Sequence, residues 1–139
     1  MKSLPLADTN FIIALFSNTD SRHRDVLPVY KKMEKIIVIQ SVLNEVAYML
    51  GRDRGTLAVA IFLKEISNSP KWILTPLEKE DILRTAQILE QYFDSGIDFV
   101  DASIMAFAER IKTNIILTMD LRDFYIFSPV HCDSYEIFP

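Results

Sequence analysis

Cysteine is almost missing from this chain of 139 residues: Cys132 stands alone, so no internal disulfide can close, and no spacing of it with the two histidines resembles a zinc site. A reducing cytoplasm is the expected compartment. Glycine is scarce as well, at three residues against a half-hydrophobic composition, which excludes a collagen-like chain or a disordered tail and fits a well-packed soluble protein. No window approaches the roughly 20 apolar residues of a membrane span. Lys2 is the only positive residue near the start and Asp8 interrupts the first apolar stretch, so neither export nor insertion is expected. Positive charge is also in deficit, with 15 Lys and Arg against 19 Asp and Glu for a net charge of −4. That balance argues against a coat of positive charge for unspecific nucleic-acid binding, and leaves room for a local basic patch beside an acidic centre. With no repeat, linker or low-complexity stretch, residues 1–139 read as one domain.

Short apolar runs alternate with longer amphipathic ones, the pattern of a parallel sheet flanked by helices. Strands are expected at Leu4 to Ala7, Ile36 to Ile39, Trp72 to Leu74 and Asn114 to Thr118, the last of them central, with Tyr135 to Phe138 as an added edge strand. Helical segments are expected from Phe11 to Phe16, through Tyr30 and Met33, and from a Ser41 cap with Val42, Val46 and Met49 on one side. Gly51 and Gly55 bracket the end of that helix, and Arg52 and Arg54 follow it. Thr56 to Ile66 forms the next. A further helix, started by Thr75-Pro76, covers about Glu78 to Tyr92 with Ile82, Ala86 and Leu89 inward, and the last runs from Asp101 to Ile111.

Four acids stand where such elements end. Asp8 and Asp120 follow strands, Glu45 lies about one turn into a helix, and Asp101 opens another. In open α/β sheets ligands sit beyond the carboxyl ends of the strands, so one crevice can collect all four side chains. Four carboxylates sharing a cavity either raise their own pKa values or take up a cation, and hard oxygen donors select Mg²⁺ or Mn²⁺ over zinc. The chemistry this points to is phosphodiester hydrolysis by a metal-activated water.

Each acid also has a plainer reading. Asp8 can cap the helix beginning near Asn10, Asp101 can complement a helix dipole, and Asp120 and Asp123 can be turn residues. Glu45 is more telling, because it lies between Val42 and Val46 in a strongly apolar stretch, against the alternative of an exposed, solvated face. Asp98 reads as a helix cap and Asp94 as a loop residue. His23 and His131 read as packing or hydrogen-bonding residues, and Cys132 has no identifiable base to make it a nucleophile. Met33, Met49 and Met105 read as core or interface.

Taken in order, Asp8-Thr9-Asn10, Glu45 within Val42-Leu43-Asn44-Glu45-Val46-Ala47, Phe99-Val100-Asp101-Ala102-Ser103, and Leu117-Thr118-Met119-Asp120-Leu121-Arg122-Asp123-Phe124 span nearly the whole chain. This set resembles the PIN domain and, within it, the VapC-like toxin ribonucleases of type II toxin-antitoxin pairs. The resemblance implies a three-layer α/β fold with a central parallel sheet of four or five strands. It makes Asp8, Glu45, Asp101 and Asp120 the catalytic, metal-binding acids, Asp123 a fifth contributor to the metal, and Asn10 and Thr118 polar supports. It further implies an RNA substrate, a cognate antitoxin that blocks the site, and a homodimer. A phosphatase of the haloacid dehalogenase type would need an Asp where Asn10 stands, and a receiver domain a late Lys that the strand ending at Thr118 does not supply. The competing reading is a PIN-like module that binds RNA or protein without cutting.

RNA held beside an acidic centre needs positive charge. Arg52 and Arg54 form one candidate locus; Arg22 and Arg24, with Lys31 and Lys32, form the other, against the alternative of an ordinary solvated face. Arg122 can touch a phosphate or neutralise its acidic neighbours. Phe11, Phe16, Tyr48, Ile61, Phe62 and Leu63 exceed what one small core obviously needs, and point to a dimer or antitoxin interface.

Overall fold

A computed structural model describes residues 3–139; Lys2 lies outside them. Its centre is a five-stranded, wholly parallel sheet made of β1 (Leu6–Ala7), β2 (Ile36–Ile39), β3 (Trp72–Thr75), β4 (Ile115–Leu117) and β5 (Glu136–Phe138). The strand order is β3-β2-β1-β4-β5, with Leu6 level with Ile37 on one side and with Ile116 on the other. Parallel sheets are covered on both faces, which is why β2 is the unbroken β-branched run Ile36-Ile37-Val38-Ile39, buried throughout. Strand order reverses between β1 and β4, so the crevice at their carboxyl ends is where this topology opens a site.

Seven helices among the described residues cover the sheet: α1 (Thr9–Phe16), α2 (His23–Lys32), α3 (Gln40–Arg54), α4 (Thr56–Asn68), α5 (Lys79–Gln91), α6 (Phe99–Ile111) and α7 (Leu121–Ile126). Helix α1 packs on α2 and α3, α3 on α4, and α5 on α6. The most enclosed is α6, in which every residue from Ala102 to Ala108 is buried; the small side chains Ala102, Ser103, Ala106 and Ala108 allow that close approach. None of the described helices is long and apolar enough to cross a membrane.

Several local expectations are corrected. The first strand begins at Leu6, because Pro5 has no N–H to extend the ladder, although its carbonyl accepts from Ile37. Helix α3 starts at Gln40 without a side-chain cap, and the Ser41 hydroxyl instead meets Ser103 Oγ at 2.7 Å. Arg52 and Arg54 belong to its last turn, and its buried line is Val42, Val46 and Leu50, which leaves Met49 beside Glu45 on the adjoining face.

Thr75 ends β3. Helix α5 begins only at Lys79, where Glu78 and Asp81 form a reciprocal capping box. The inward face of α5 is Asp81, Thr85 and Ile88, while Ile82 and Ala86 are exposed. The apolar period missed that rotation because the contact with α6 is polar: Arg110 donates to both oxygens of Asp81, at 2.7 and 3.0 Å. Phe11 and Phe62 are core rather than surface, whereas Tyr48, Ile61 and Leu63 are exposed.

Candidate active site

Asp8 follows β1 directly and its amide donates to Leu117 O at the end of β4, which ties the two strand ends together at 2.9 Å. Its side chain is nearly sealed from solvent. Oδ1 accepts from the Thr9 amide and Oδ2 from the Thr118 hydroxyl, both at 2.8 Å. Asn10 Oδ1 accepts from the Met119 amide at 2.9 Å, and Thr118 Oγ1 accepts from the Asp120 amide at 3.0 Å. Asn10 and Thr118 therefore brace the turn that carries Asp120 against the turn that carries Asp8. The capping and first-turn readings hold alongside, since Asp8 also caps α1 and Asp101 lies in the first turn of α6.

A cleft of about 260 Å³ opens over these strand ends. Five acids line it, Asp8, Glu45, Asp98, Asp101 and Asp120, together with Thr9, Asn10, Ile13, Met49 and one basic residue, Arg22. Glu45 and Met49 reach it together because residues four apart share a helix face. On the side of α7, carboxylate oxygens of Asp101, Asp120 and Asp123 lie within 4.8 Å of one another. Thus the four acids expected from sequence converge, Asp123 adjoins them, and Asp98 is an addition. Asp98 was legible as a cap, and it is one, accepting from the Asp101 amide at 2.9 Å; that role also places it on the rim. Helix α7 is not expected from the sequence, and it carries Asp123, which is buried.

Of the candidate basic residues, only Arg22 lines the cleft. Arg24 is exposed on α2, Arg52 pairs with Asp53 at 2.8 Å, and Arg54 donates to Ser17 Oγ and Thr19 Oγ1. Arg122 bridges Asp123 Oδ1 and the Ser95 carbonyl, both at 2.8 Å. His23 meets the Ala14 carbonyl and His131 the Thr113 carbonyl, in keeping with packing roles.

Crowded acids without enough cations resist ionisation. Burial pushes the Asp8 carboxyl up to about 6, opposed by its bonds from Thr118 and Thr9 and reinforced by Glu45 and Asp120. Asp101 is pushed up to about 9, by burial first and then by Asp8, Asp98 and Asp123. Asp120 is raised by burial and by Asp123. The donor set fits a divalent cation: hard oxygens converge, Asp123 alone of the three clustered acids has an ion-pair partner among the described residues, Arg122, and the Thr9 hydroxyl on the cleft wall is buried without a hydrogen-bond partner.

Raised carboxyl pKa values carry a sign. The unfolded chain ionises near 3.8 and the folded Asp8 and Asp101 only near 6 and 9, so the folded state holds more protons across that window and loses stability as pH rises through it. We expect the melting temperature in chelator to fall between pH 5 and pH 8. Because ligands must lose their protons to bind a cation, Mg²⁺ or Mn²⁺ should raise it far more at pH 8 than at pH 5. Thermal melts at both pH values check this, and a metal effect equal at the two would remove the coupling.

Three comparisons bear on this arrangement. The PIN domain family model matches residues 6–127. Ribonuclease VapC26 of Mycobacterium tuberculosis is 26% identical over 135 residues, covering 96% of this chain and 99% of the relative. Among solved structures, Mycobacterium tuberculosis VapC20, a sarcin-ricin loop cleaving toxin, superposes with a TM-score of 0.81 at 21% identity, covering 93% of this chain and 98% of that one. VapBC2 from Rickettsia felis, bound to a DNA fragment from its promoter, gives 0.71 at 14% identity over 98% of this chain and 99% of that one. The matched span runs from the start of β1 to the residue after α7, so it encloses every acid of the cleft, and the chain belongs to the PIN domain family.

Proposed function

We propose that this chain is a divalent-metal-dependent endoribonuclease, the toxin of a VapBC-type pair acting in the cytoplasm. The observation that carries the reading is the convergence of Asp8, Glu45, Asp101 and Asp120, with Asp123 adjoining, at the switch point of a PIN-domain sheet. Likeness to ribonuclease VapC26 supports the activity, and likeness to VapBC2 supports an antitoxin partner. Exposed Tyr48, Leu57 and Ile61 on α3 and α4 support a homodimer as an outlet for apolar surface.

Asp8, Asp101 and Asp120 would hold Mg²⁺ or Mn²⁺, with Glu45 and Asp123 completing the oxygen donor set. When bound, such a cation lowers the pKa of a water and neutralises charge developing on a phosphate. The residues of the chain do the rest. Thr118 and Thr9 hold the Asp8 carboxylate in one orientation, so little reorganisation remains for the reaction. Arg122 donates to Asp123 Oδ1 and restrains that carboxylate, and the α6 cap made by Asp98 fixes the first turn that carries Asp101.

The test is cleavage of total cellular RNA by the purified protein, free of antitoxin, in Mg²⁺, Mn²⁺ or chelator. Cutting that chelator abolishes is the expected result. No cutting under any condition by folded protein would favour a module that binds RNA or protein without hydrolysis.

A further inference from the structure

We infer that Arg22 is the residue of this chain that grips an RNA phosphate at the mouth of the acidic cleft, and that Arg54 is a positioning residue for it. The inference rests on the nuclease reading above. A phosphate approaching five acids is repelled unless a cation lies beside them, and Arg22 is the basic side chain that lines the cleft.

Arg22 is held ready for that contact. Its Nε donates to Asp20 Oδ1 at 3.0 Å and its terminal nitrogen to Oδ2 at 2.8 Å, while its own amide also donates to Oδ1 at 2.8 Å. Asp20 is itself drawn well below the ordinary carboxylate range by those bonds, so the pair stays ionised throughout the neutral range. A guanidinium has five N–H donors and this fork engages only part of them. The side chain is 39% exposed, which leaves the rest open to an incoming oxygen.

The loop that carries Arg22 joins α1 to α2 and is anchored from the far end of α3. Arg54 donates to Ser17 Oγ at 2.5 Å and to Thr19 Oγ1 at 3.0 Å, and the Asp20 amide donates to Ser17 O at 3.1 Å. Arg54 thus acts through the loop, since Ser17 is buried and fixes where Asp20 and Arg22 emerge. The remaining basic candidates lack this placement, because neither Arg52, 5.9 Å from the Tyr48 ring, nor Arg24, exposed on α2, lines the cleft.

The experiment compares Arg22→Ala, Arg22→Lys, Asp20→Asn and Arg54→Ala with the parent, using a short single-stranded RNA that the parent cuts in Mn²⁺. Michaelis parameters are measured in Mn²⁺, RNA affinity against salt is measured in chelator, and the Mn²⁺-induced rise in melting temperature monitors the acid cluster. For Arg22→Ala we expect KM to rise about 10- to 100-fold with kcat much less affected. The slope of log affinity on log salt should shrink by about 0.7, the share of one phosphate on a single strand. Arg22→Lys should fall between, Asp20→Asn should stay near the parent in salt slope, and Arg54→Ala should shift KM in the same direction by less. The Mn²⁺ response should persist in all four. Unchanged KM and salt slope in Arg22→Ala overturn the inference, as does an Asp20→Asn loss equal to that of Arg22→Ala, which would mean the pair only shapes the loop. Should Arg22→Ala not fold, an unchanged KM in Arg22→Lys overturns it equally. Absence of metal-dependent cutting by the parent is a different result, and it removes the nuclease reading and this inference together.

Discussion

Asp101→Asn is expected to fold, to lose RNA cleavage roughly a thousandfold or more, and to melt above the parent at pH 8 in chelator. Both effects have one cause. Burial first, and then the like charges of Asp8, Asp98 and Asp123, push the Asp101 carboxyl up to about 9, so the folded protein bears a cost for keeping an acid there that the unfolded chain does not. Asparagine retains the shape and one oxygen and has no proton to lose, so the cost disappears along with a charged cation ligand. The decline of stability from pH 5 to pH 8 should flatten, and Mn²⁺ should no longer raise the melting temperature appreciably. Cleavage assays and melts of the two proteins prepared side by side check this. Full activity in the variant would strike Asp101 from the catalytic set, whereas lost activity with a lower melting temperature in chelator would mean that the residue is structural.

The second large effect lies away from the cleft, where α5 meets α6. Asp81 is 1% exposed and takes two hydrogen bonds from Arg110, whose side chain is 30% exposed. Removing either partner is therefore asymmetric. Arg110→Ala strands a carboxylate inside the protein with the Glu78 amide as its remaining donor, at a cost of about 3 kcal/mol or about 10 °C in melting temperature. Asp81→Ala costs less, because the Arg110 guanidinium can turn to water or toward Glu80, 3.9 Å away. Denaturant titrations of both single variants and the double variant test the ordering. A double variant no worse than Arg110→Ala is expected, and equal losses in the two single variants would show that the buried charge is not the dominant quantity. RNA cleavage below the melting range should survive in both, since neither residue lines the cleft.

Asp81 also shows what local sequence does not encode. The apolar period marks its helix but points Ile82, Ala86 and Leu89 inward, because period alone takes buried positions to be apolar. The ion pair with Arg110 spans 29 residues of sequence, and no local period encodes it. Helix α7 was missed for a related reason. It has six residues, too few to be stable by local propensity, and it packs through buried Phe124 against Tyr135.

The chain by itself determined the strand and helix alternation, the absence of an internal disulfide and the acids at element ends. Each of these depends on neighbours a few residues apart, through side-chain period, capping and composition. Through its ordered motifs it also determined the family. Tertiary structure decided which groups share a cleft. The order β3-β2-β1-β4-β5 places β1 beside β4, and that adjacency brings Asp8 within 2.8 Å of the Thr118 hydroxyl across 110 residues of chain. It likewise brought Arg22 alone among the candidate arginines to the cleft and turned Arg54 into a loop anchor. Charges and hydrogen bonds act over a few ångströms of space whatever the separation along the chain, so no spacing rule could have sorted those residues before the fold had.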